Sequence, residues 1–375
     1  MLIMYYSKGN YEAFARPRKP AGSDAKSAWI VGSGLAGLAA AVFLIRDAQV
    51  PPGEQIHVFE ELPPRRWIAR RHRQSRHRLH HPRRARDGEP FRVPLGHVPL
   101  HPPLPRDRGA SYLDEYYWLD KDDPNSSNCR LIHDRGNRVP SDGRFTLSDR
   151  AQEEIVSLWL TSESELGDRT IEDHFTEDFF ESNFWLYWST MFAFERWHSL
   201  AEMRRYLLRF VHHIDGLPDF TALKFNKYNQ YESMVKPLLA YLQDHDVDFR
   251  YGTTVRDIRV EEVDGTRTAT RLLVTVDGED QDIDLSEDDL VFVTNGSITE
   301  STTYGDHHTP APPTDEPGGS WTLWRNLAAQ SEAFGHPDVF CEGIPERSWF
   351  VSATATIENT GVDPLHRATH PQVPP

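Results

Sequence analysis

Three glycines stand in the spacing G-x-G-x-x-G across Gly32-Ser33-Gly34-Leu35-Ala36-Gly37. That spacing suits phosphate binding. Gly32 allows a tight turn, Gly34 lets backbone N–H groups approach a pyrophosphate, and Gly37 lets a helix lie close on a strand. The start of the helix that follows adds partial positive charge. Glu60 comes 23 residues after Gly37 and, with Glu61, closes the apolar run Ile56 to Phe59. A carboxylate at such a strand end accepts ribose hydroxyls. A merely structural glycine turn is the alternative, but strand, glycines, helix, second strand and acid in register point to a dinucleotide. The motif alone does not separate FAD from NAD.

Other residues are weaker signals taken singly. Tyr231 to Leu242, Val247 to Phe249 and Thr254 to Ile258 form a helix–strand–strand run. In two-domain flavoproteins such a return strand sets backbone N–H and C=O groups against the adenine, which makes Val255 the candidate; a plain sheet strand is the alternative. The run Val291 to Thr294 ends in the small-residue turn Asn295-Gly296-Ser297, and strand ends of this kind line ligand crevices in open α/β sheets. Tyr206 shares one helical face with Phe210, although a lone tyrosine is usually core with its hydroxyl satisfied. Phe184 to Trp197 is aromatic nearly all round and is too short to span a bilayer. It is either a buried core helix or the wall of a lipid tunnel. The histidine pairs His80-His81, His212-His213 and His307-His308 lack ligand spacing, and neither HExxH nor GxSxG occurs. No metal site and no serine nucleophile are expected.

The elements that must position these residues read as an α/β chain. Residues 1–26 form a polar arm. Ser27 to Val31 is a strand, followed by an Ala-rich helix through Arg46 and a strand from Ile56. Leu147 to Leu160, Thr170 to Phe180, Asn183 to Phe210 and Tyr231 to Gln243 carry helical periodicity. Asp248 to Tyr251, Thr253 to Val260, Thr270 to Val276 and Leu290 to Thr294 read as strands, and Pro310 to Gly319 as a loop.

Composition narrows the class. The chain has 375 residues, 38% hydrophobic, with a net charge of −16, enough to fill a core and wrongly signed for nucleic acid. Two cysteines fit a reducing, cytoplasmic setting. No apolar run is long enough for a transmembrane span, and the start lacks a secretory pattern. The charge is uneven. Residues 63–108 hold 13 arginines, no lysine and 3 acids, a local +10, which leaves −26 for the rest.

Several stretches resemble the oleate hydratase family, also called myosin-cross-reactive antigen. They are Met4 to Pro17, Tyr116 to Pro124, Phe184 to Tyr206 and Asn295 to Ser301, and the resemblance covers residues 4–62 and 109–362. It implies a Rossmann-like FAD-binding domain from residues 27–62 and 246–300. An inserted, mainly helical substrate region at 109–245 and a further family region at 301–362 complete it. The implied activity is addition of water to the cis double bond of an unsaturated free fatty acid such as oleate or linoleate, giving a 10-hydroxy acid. FAD supports the site without net redox chemistry. In the family the tyrosine of an EMRRY motif is the proton donor, here Tyr206 of Glu202-Met203-Arg204-Arg205-Tyr206. A homodimer with peripheral membrane contact is implied as well.

The resemblance breaks at 63–108, where the family has the water-activating glutamate in RGGREMENHFE. The expectation is that this segment is translated out of frame. Written CGA GAT GGA GAA CCA TTT CGA GTG C, Arg86 to Val93 shifts by one base to Glu-Met-Glu-Asn-His-Phe-Glu-Cys, so the missing Glu falls at Arg86. Arg66 to His72 shifts likewise to Gly-Gly-Ser-Leu-Asp-Gly-Ile, which resembles the family's flavin loop. Leu365 to Pro374 shifts to Tyr-Ile-Glu-Arg-Leu-Thr-His-Arg-Ser-Leu, so 363–375 reads as an out-of-frame tail, and family members continue beyond it. A genuine basic loop for anions or anionic lipid is the alternative for the arginine segment. A chain lacking the glutamate loop and the later part is expected to be inactive and poorly folded. Two other classes stay open: a flavin oxidoreductase of the amine-oxidase or desaturase type, and a non-catalytic fatty-acid- or flavin-binding fragment.

Overall fold

The computed structural model describes residues 18–53, 55–62, 86–88, 118–122, 132–133, 137–138, 143–219, 221, 223–225, 230–296, 300, 302–306, 308–313 and 318–341. In chain order these form β1 (Ser27–Val31), α1 (Leu35–Arg46), β2 (Ile56–Glu60), β3 (Arg86–Gly88), β4 (Ile132–His133) and β5 (Asn137–Arg138). The helices α2 (Asp149–Leu160), α3 (Glu163–Leu166), α4 (Glu177–Phe180), α5 (Asn183–Phe192) and α6 (Leu200–Phe210) follow, then β6 (Leu223–Phe225) and α7 (Lys236–Asp244). The strands β7 (Asp248–Tyr251), β8 (Thr253–Val263), β9 (Thr266–Val276), β10 (Glu279–Asp284) and β11 (Asp289–Val293) precede α8 (Gly319–Ala328) and α9 (Asp338–Cys341). They fall into two compact units.

The first unit is mixed α/β around a parallel sheet in the order β11-β1-β2-β7. The crossover β1–α1–β2 joins neighbours in register, with Trp29 beside His57 and Val31 beside Phe59. Ala28, Ile30, Ile56 and Val58 are fully buried, as expected of a parallel strand covered on both faces. One face of the sheet meets α1, and α7 packs against α1. Trp29, Val31 and Phe59, on the other face, join Val255, Ile258, Leu272 and Val274 of an antiparallel sheet and Leu323 and Leu327 of α8 in one core.

That antiparallel sheet runs β10-β9-β8. Its two hairpins turn on Asp264-Gly265 and Asp277-Gly278, all four residues at positive φ, which is the two-residue turn chemistry that Asp-Gly favours. The sequence reading stops β8 at Val260 and omits β10. The polar strand Glu279–Asp284 is exposed at all but one position, so it lacks the apolar alternation that marks a half-buried strand. At the far edge of the parallel sheet, His57 Nδ1 lies 2.8 Å from Asp248 Oδ2 and stacks on Trp29 at 3.9 Å. Burial alone would raise the Asp248 carboxyl, but hydrogen bonds from His57 and Arg250 outweigh it and leave the group below its ordinary value. Asp289 behaves alike: desolvation is outweighed by the Ser286 N–H and the Trp29 indole.

The second unit is a helical core with two short strand pairs, β4–β5 and β3–β6. Thr170 to Phe180 is not one helix. The Ile171 and Glu172 N–H groups bond to the carbonyls of His198 and Arg196, and Asp173 accepts from both the N–H and the hydroxyl of Thr170. These bonds draw the backbone out of the helical pattern, and only Glu177–Phe180 closes into α4. Asn183 to Phe210 likewise divides at Ala193, which takes a left-handed φ of 57°. Side chains cap the pieces: Ser148, Ser182 and Ser199 accept from the N–H of Ala151, Trp185 and Glu202. Phe184, Trp185, Tyr187 and Trp188 are all buried in the core of this unit. The aromatic helix therefore packs as part of this core.

Candidate functional site

In the parallel-sheet unit the glycine motif forms the turn between β1 and α1. Gly32 has φ +98°, and a Cβ there would lie 3.0 Å from the Asn295 Cα and 3.1 Å from the Thr294 carbonyl oxygen. Only glycine tolerates both the backbone angle and the approach. A Cβ on Gly37 would fall inside the Gly32 carbonyl oxygen and 2.9 Å from Thr294 Oγ1. Gly34 is the N-cap residue of α1, in extended conformation, with no side-chain cap and no acidic residue in the first turn. The backbone N–H groups at Leu35, Ala36 and Gly37 thus begin a helix whose first donors have no intrahelical acceptor. Such a terminus favours a bound anion.

Glu60 ends β2 beside this turn. Its carboxylate accepts from Ser33 Oγ at 2.5 Å and from the Leu62 N–H at 3.0 Å. Ser33 is fully buried. Glu61 is exposed at the strand end. Asn295 follows β11 and abuts Gly32, with Gly296 next in the chain, and Thr294 Oγ1 donates to the carbonyls of Val31 at 2.9 Å and Gly32 at 3.1 Å. Gly32 to Gly37, Glu60, Asn295 and Gly296 therefore gather at the carboxyl ends of β1, β2 and β11, where ligands bind in open parallel sheets. Ser297 lies outside the described residues. Val255 sits in β8 with its side chain buried and its backbone opposite Val274, in the antiparallel sheet of the same unit.

Three contributors, Thr294, Glu300 and Ser320, have no site role in the sequence reading. Thr294 locks the Gly32 turn, and its position directly after an apolar strand was the available signal. Glu300 accepts from the Ser320 N–H at 3.1 Å and from the Ser320 hydroxyl. Nothing in local sequence ties residue 300 to residue 320.

Tyr206 belongs to the helical unit. On α6, Leu200, Met203 and Leu207 point into the core. Arg205 pairs with Glu163 and Arg204 Nη2 donates to the Trp159 carbonyl at 3.3 Å, which ties α6 to α2 and α3. The Arg205 guanidinium holds the Glu163 carboxyl below its usual range. The Tyr206 ring then lies against Phe194 at 5.1 Å, Phe192 at 5.3 Å and Phe210 at 5.9 Å. Burial, and then the Glu202 carboxylate one turn earlier, push its hydroxyl above the ordinary phenol value. The proton therefore stays on Tyr206 throughout the neutral range. Arg86 lies on β3, opposite Phe225 of β6, and the flanking residues 63–85 and 89–108 are outside those described.

Among the described residues no helix is long and apolar enough to cross a membrane. The family model described as the MCRA family matches residues 25–372. The chain is 59% identical over 380 residues to an oleate hydratase of Streptococcus pyogenes serotype M49 (strain NZ131), covering 98% of this chain and 62% of that protein. It is 32% identical over 233 residues to a linoleate hydratase of Lactiplantibacillus plantarum, covering 60% of this chain and 41% of that protein. The chain thus spans less than two thirds of the length of these relatives.

Proposed function

The chain belongs to the MCRA family, and on that footing we propose that it derives from an FAD-dependent hydratase that adds water to the cis double bond of an unsaturated free fatty acid such as oleate or linoleate. The observation that carries the proposal is the extent of the likeness: it runs through the glycine motif, the aromatic helix and the Glu202 to Tyr206 motif together. Geometry supports the cofactor. A turn where Cβ atoms would clash, a helix start without a side-chain cap and a carboxylate at the end of β2 fit the phosphates and a ribose of FAD, in a Rossmann-like arrangement. When bound, FAD supplies structural and electrostatic support with no net redox change. Gly32 to Gly37 would hold the pyrophosphate, Glu60 the ribose hydroxyls, and Asn295 and Gly296 the near side of the ligand. Val255 is assigned to the adenine and Ser297 to the turn after β11, both from the sequence alone.

Hydrating an isolated alkene needs a proton delivered to one carbon and water to the other, while positive charge builds between them. Tyr206 is assigned the proton. In water a phenol is a poor acid, but in an aromatic, water-poor setting the tyrosinate left behind and the carbocation attract each other strongly. The water-activating carboxylate is missing: the frame slip proposed for 63–108 converts its codon into that of Arg86. The chain as translated is therefore proposed to be inactive.

Incubating the chain with FAD and oleate and weighing the product tests the reading. No product is expected from the chain as written, and a gain of one water from a version in which both 63–108 and the frame from 363 onward are restored and the chain continues to the length of its relatives. A loss of two hydrogens from either would instead support a flavin oxidoreductase. Fatty acid bound but unchanged by the restored version would support a non-catalytic binding fragment.

A further inference from the structure

Resting on the FAD reading of the cradle, we infer that Glu300 is a positioning residue of the cofactor site, the brace that holds the turn after β11 against the glycine motif. Two pieces of the parallel-sheet unit, the turn at Gly296 and the start of α8 at Gly318 to Ser320, close around its carboxylate. Gly296 has φ +82°, and a Cβ there would lie 2.6 Å from Ser320 Cβ and 3.0 Å from Glu300 Oε2. A Cβ on Gly318 would overlap the Glu300 carboxyl group itself. Glu300 accepts from the Ser320 N–H at 3.1 Å and from its hydroxyl, and so supplies the anion for a helix whose own N-cap residue, Gly318, has no side chain to offer.

The consequence reaches the cofactor residues from two sides. The turn that Glu300 holds on one side is pressed on the other against Gly32, through Thr294 and Asn295. The helix it caps, α8, grips β8 beside Val255 through Asn326 Nδ2, which donates to the Arg256 carbonyl at 2.9 Å, and just past its end Gln330 Nε2 donates to the Ile258 carbonyl at 2.9 Å. One carboxylate therefore couples the glycine turn, the Asn295–Gly296 turn and the strand assigned to the adenine.

The test measures FAD affinity by flavin fluorescence together with the thermal midpoint of the FAD-free protein, for the full chain and its variants. Glu300→Ala removes both bonds and is expected to weaken FAD about tenfold, the size of one lost charge-assisted hydrogen bond. Glu300→Gln keeps the shape, accepts from the Ser320 N–H and donates to its hydroxyl, and is expected to recover affinity to within about threefold of the parent. A lower midpoint for Glu300→Ala with unchanged FAD affinity makes Glu300 a structural brace only and overturns the inference, as does no change in either. Should the alanine variant fail to fold, Ser320→Ala carries the test with about a threefold loss expected, and unchanged affinity overturns the inference. The variants are compared in the full chain, or in the version with 63–108 restored to the other frame where only that one binds FAD; FAD bound by neither overturns the dinucleotide reading and this inference with it, whereas a binding parent with unaffected variants overturns this inference alone.

Discussion

Gly37→Ala tests the cradle by the sign of its effect. Gly37 lies in the first turn of α1 and is buried. On helix propensity alone, alanine there would stabilise the protein by up to about 1 kcal/mol. The structure predicts the opposite. The new Cβ would fall inside the Gly32 carbonyl oxygen and 2.9 Å from Thr294 Oγ1. Neither obstacle can swing aside: one is backbone, and the other is held by hydrogen bonds to the Val31 and Gly32 carbonyls. Overpacking costs about 1–3 kcal/mol and the strained Thr294 bonds about 1 more, so the net is a destabilisation of about 2 kcal/mol after the propensity gain. Moving α1 off the turn also moves the N–H groups proposed to face the FAD phosphates, so on that proposal FAD affinity should fall in parallel. Urea unfolding followed by tryptophan fluorescence gives the first quantity and flavin titration the second. A variant as stable as the parent, or more so, with unaltered FAD affinity would refute the close helix–turn packing on which the cradle rests.

Two further outcomes follow from local chemistry. Ser182→Ala removes an oxygen that caps α5 through the Trp185 N–H and bonds the Phe179 carbonyl in a buried setting; urea unfolding should show a loss of about 1–2 kcal/mol, and an unmoved midpoint would argue against that cap. Asp248 and Asp289 both titrate below their ordinary values, so their stabilisation is present above the unfolded carboxylate range and is lost as pH falls through the folded values. Thermal midpoints measured from pH 7 down to 2 should therefore fall less steeply in Asp248→Asn than in the parent, from a lower starting point at pH 7, and parallel curves would remove Asp248 from the acid transition.

What could be read from the residues was whatever is written locally. β1 and β2 were legible because a covered parallel strand is a short apolar run beside a glycine turn. The starts of α2 and α5 were read from periodicity to within two residues, while their caps, Ser148 and Ser182, were not singled out. The break at Ala193 was hidden, because alanine seldom takes a left-handed conformation and signals helix instead. The hairpins at Asp264-Gly265 and Asp277-Gly278 carried a clear turn signal, but the polar outer strand offered no periodicity to go with it. The site divides in the same way. Gly32 to Gly37 and Glu60 announce themselves by spacing, whereas Thr294, Glu300 and Ser320 act through contacts that only the folded sheet creates. Tyr206 stood out only through the motif around it, since its aromatic neighbours Phe192 and Phe194 come from a different helix and the loop after it.

The coding sequence across residues 63–108 tests most directly the claim that this is a hydratase chain that has lost its water-activating carboxylate. The account predicts codons that, read one base later, give Glu-Met-Glu-Asn-His-Phe-Glu from Arg86 onward and Gly-Gly-Ser-Leu-Asp-Gly-Ile from Arg66. Codons that cannot yield those residues in the shifted frame would contradict it and make the arginine-rich segment native protein.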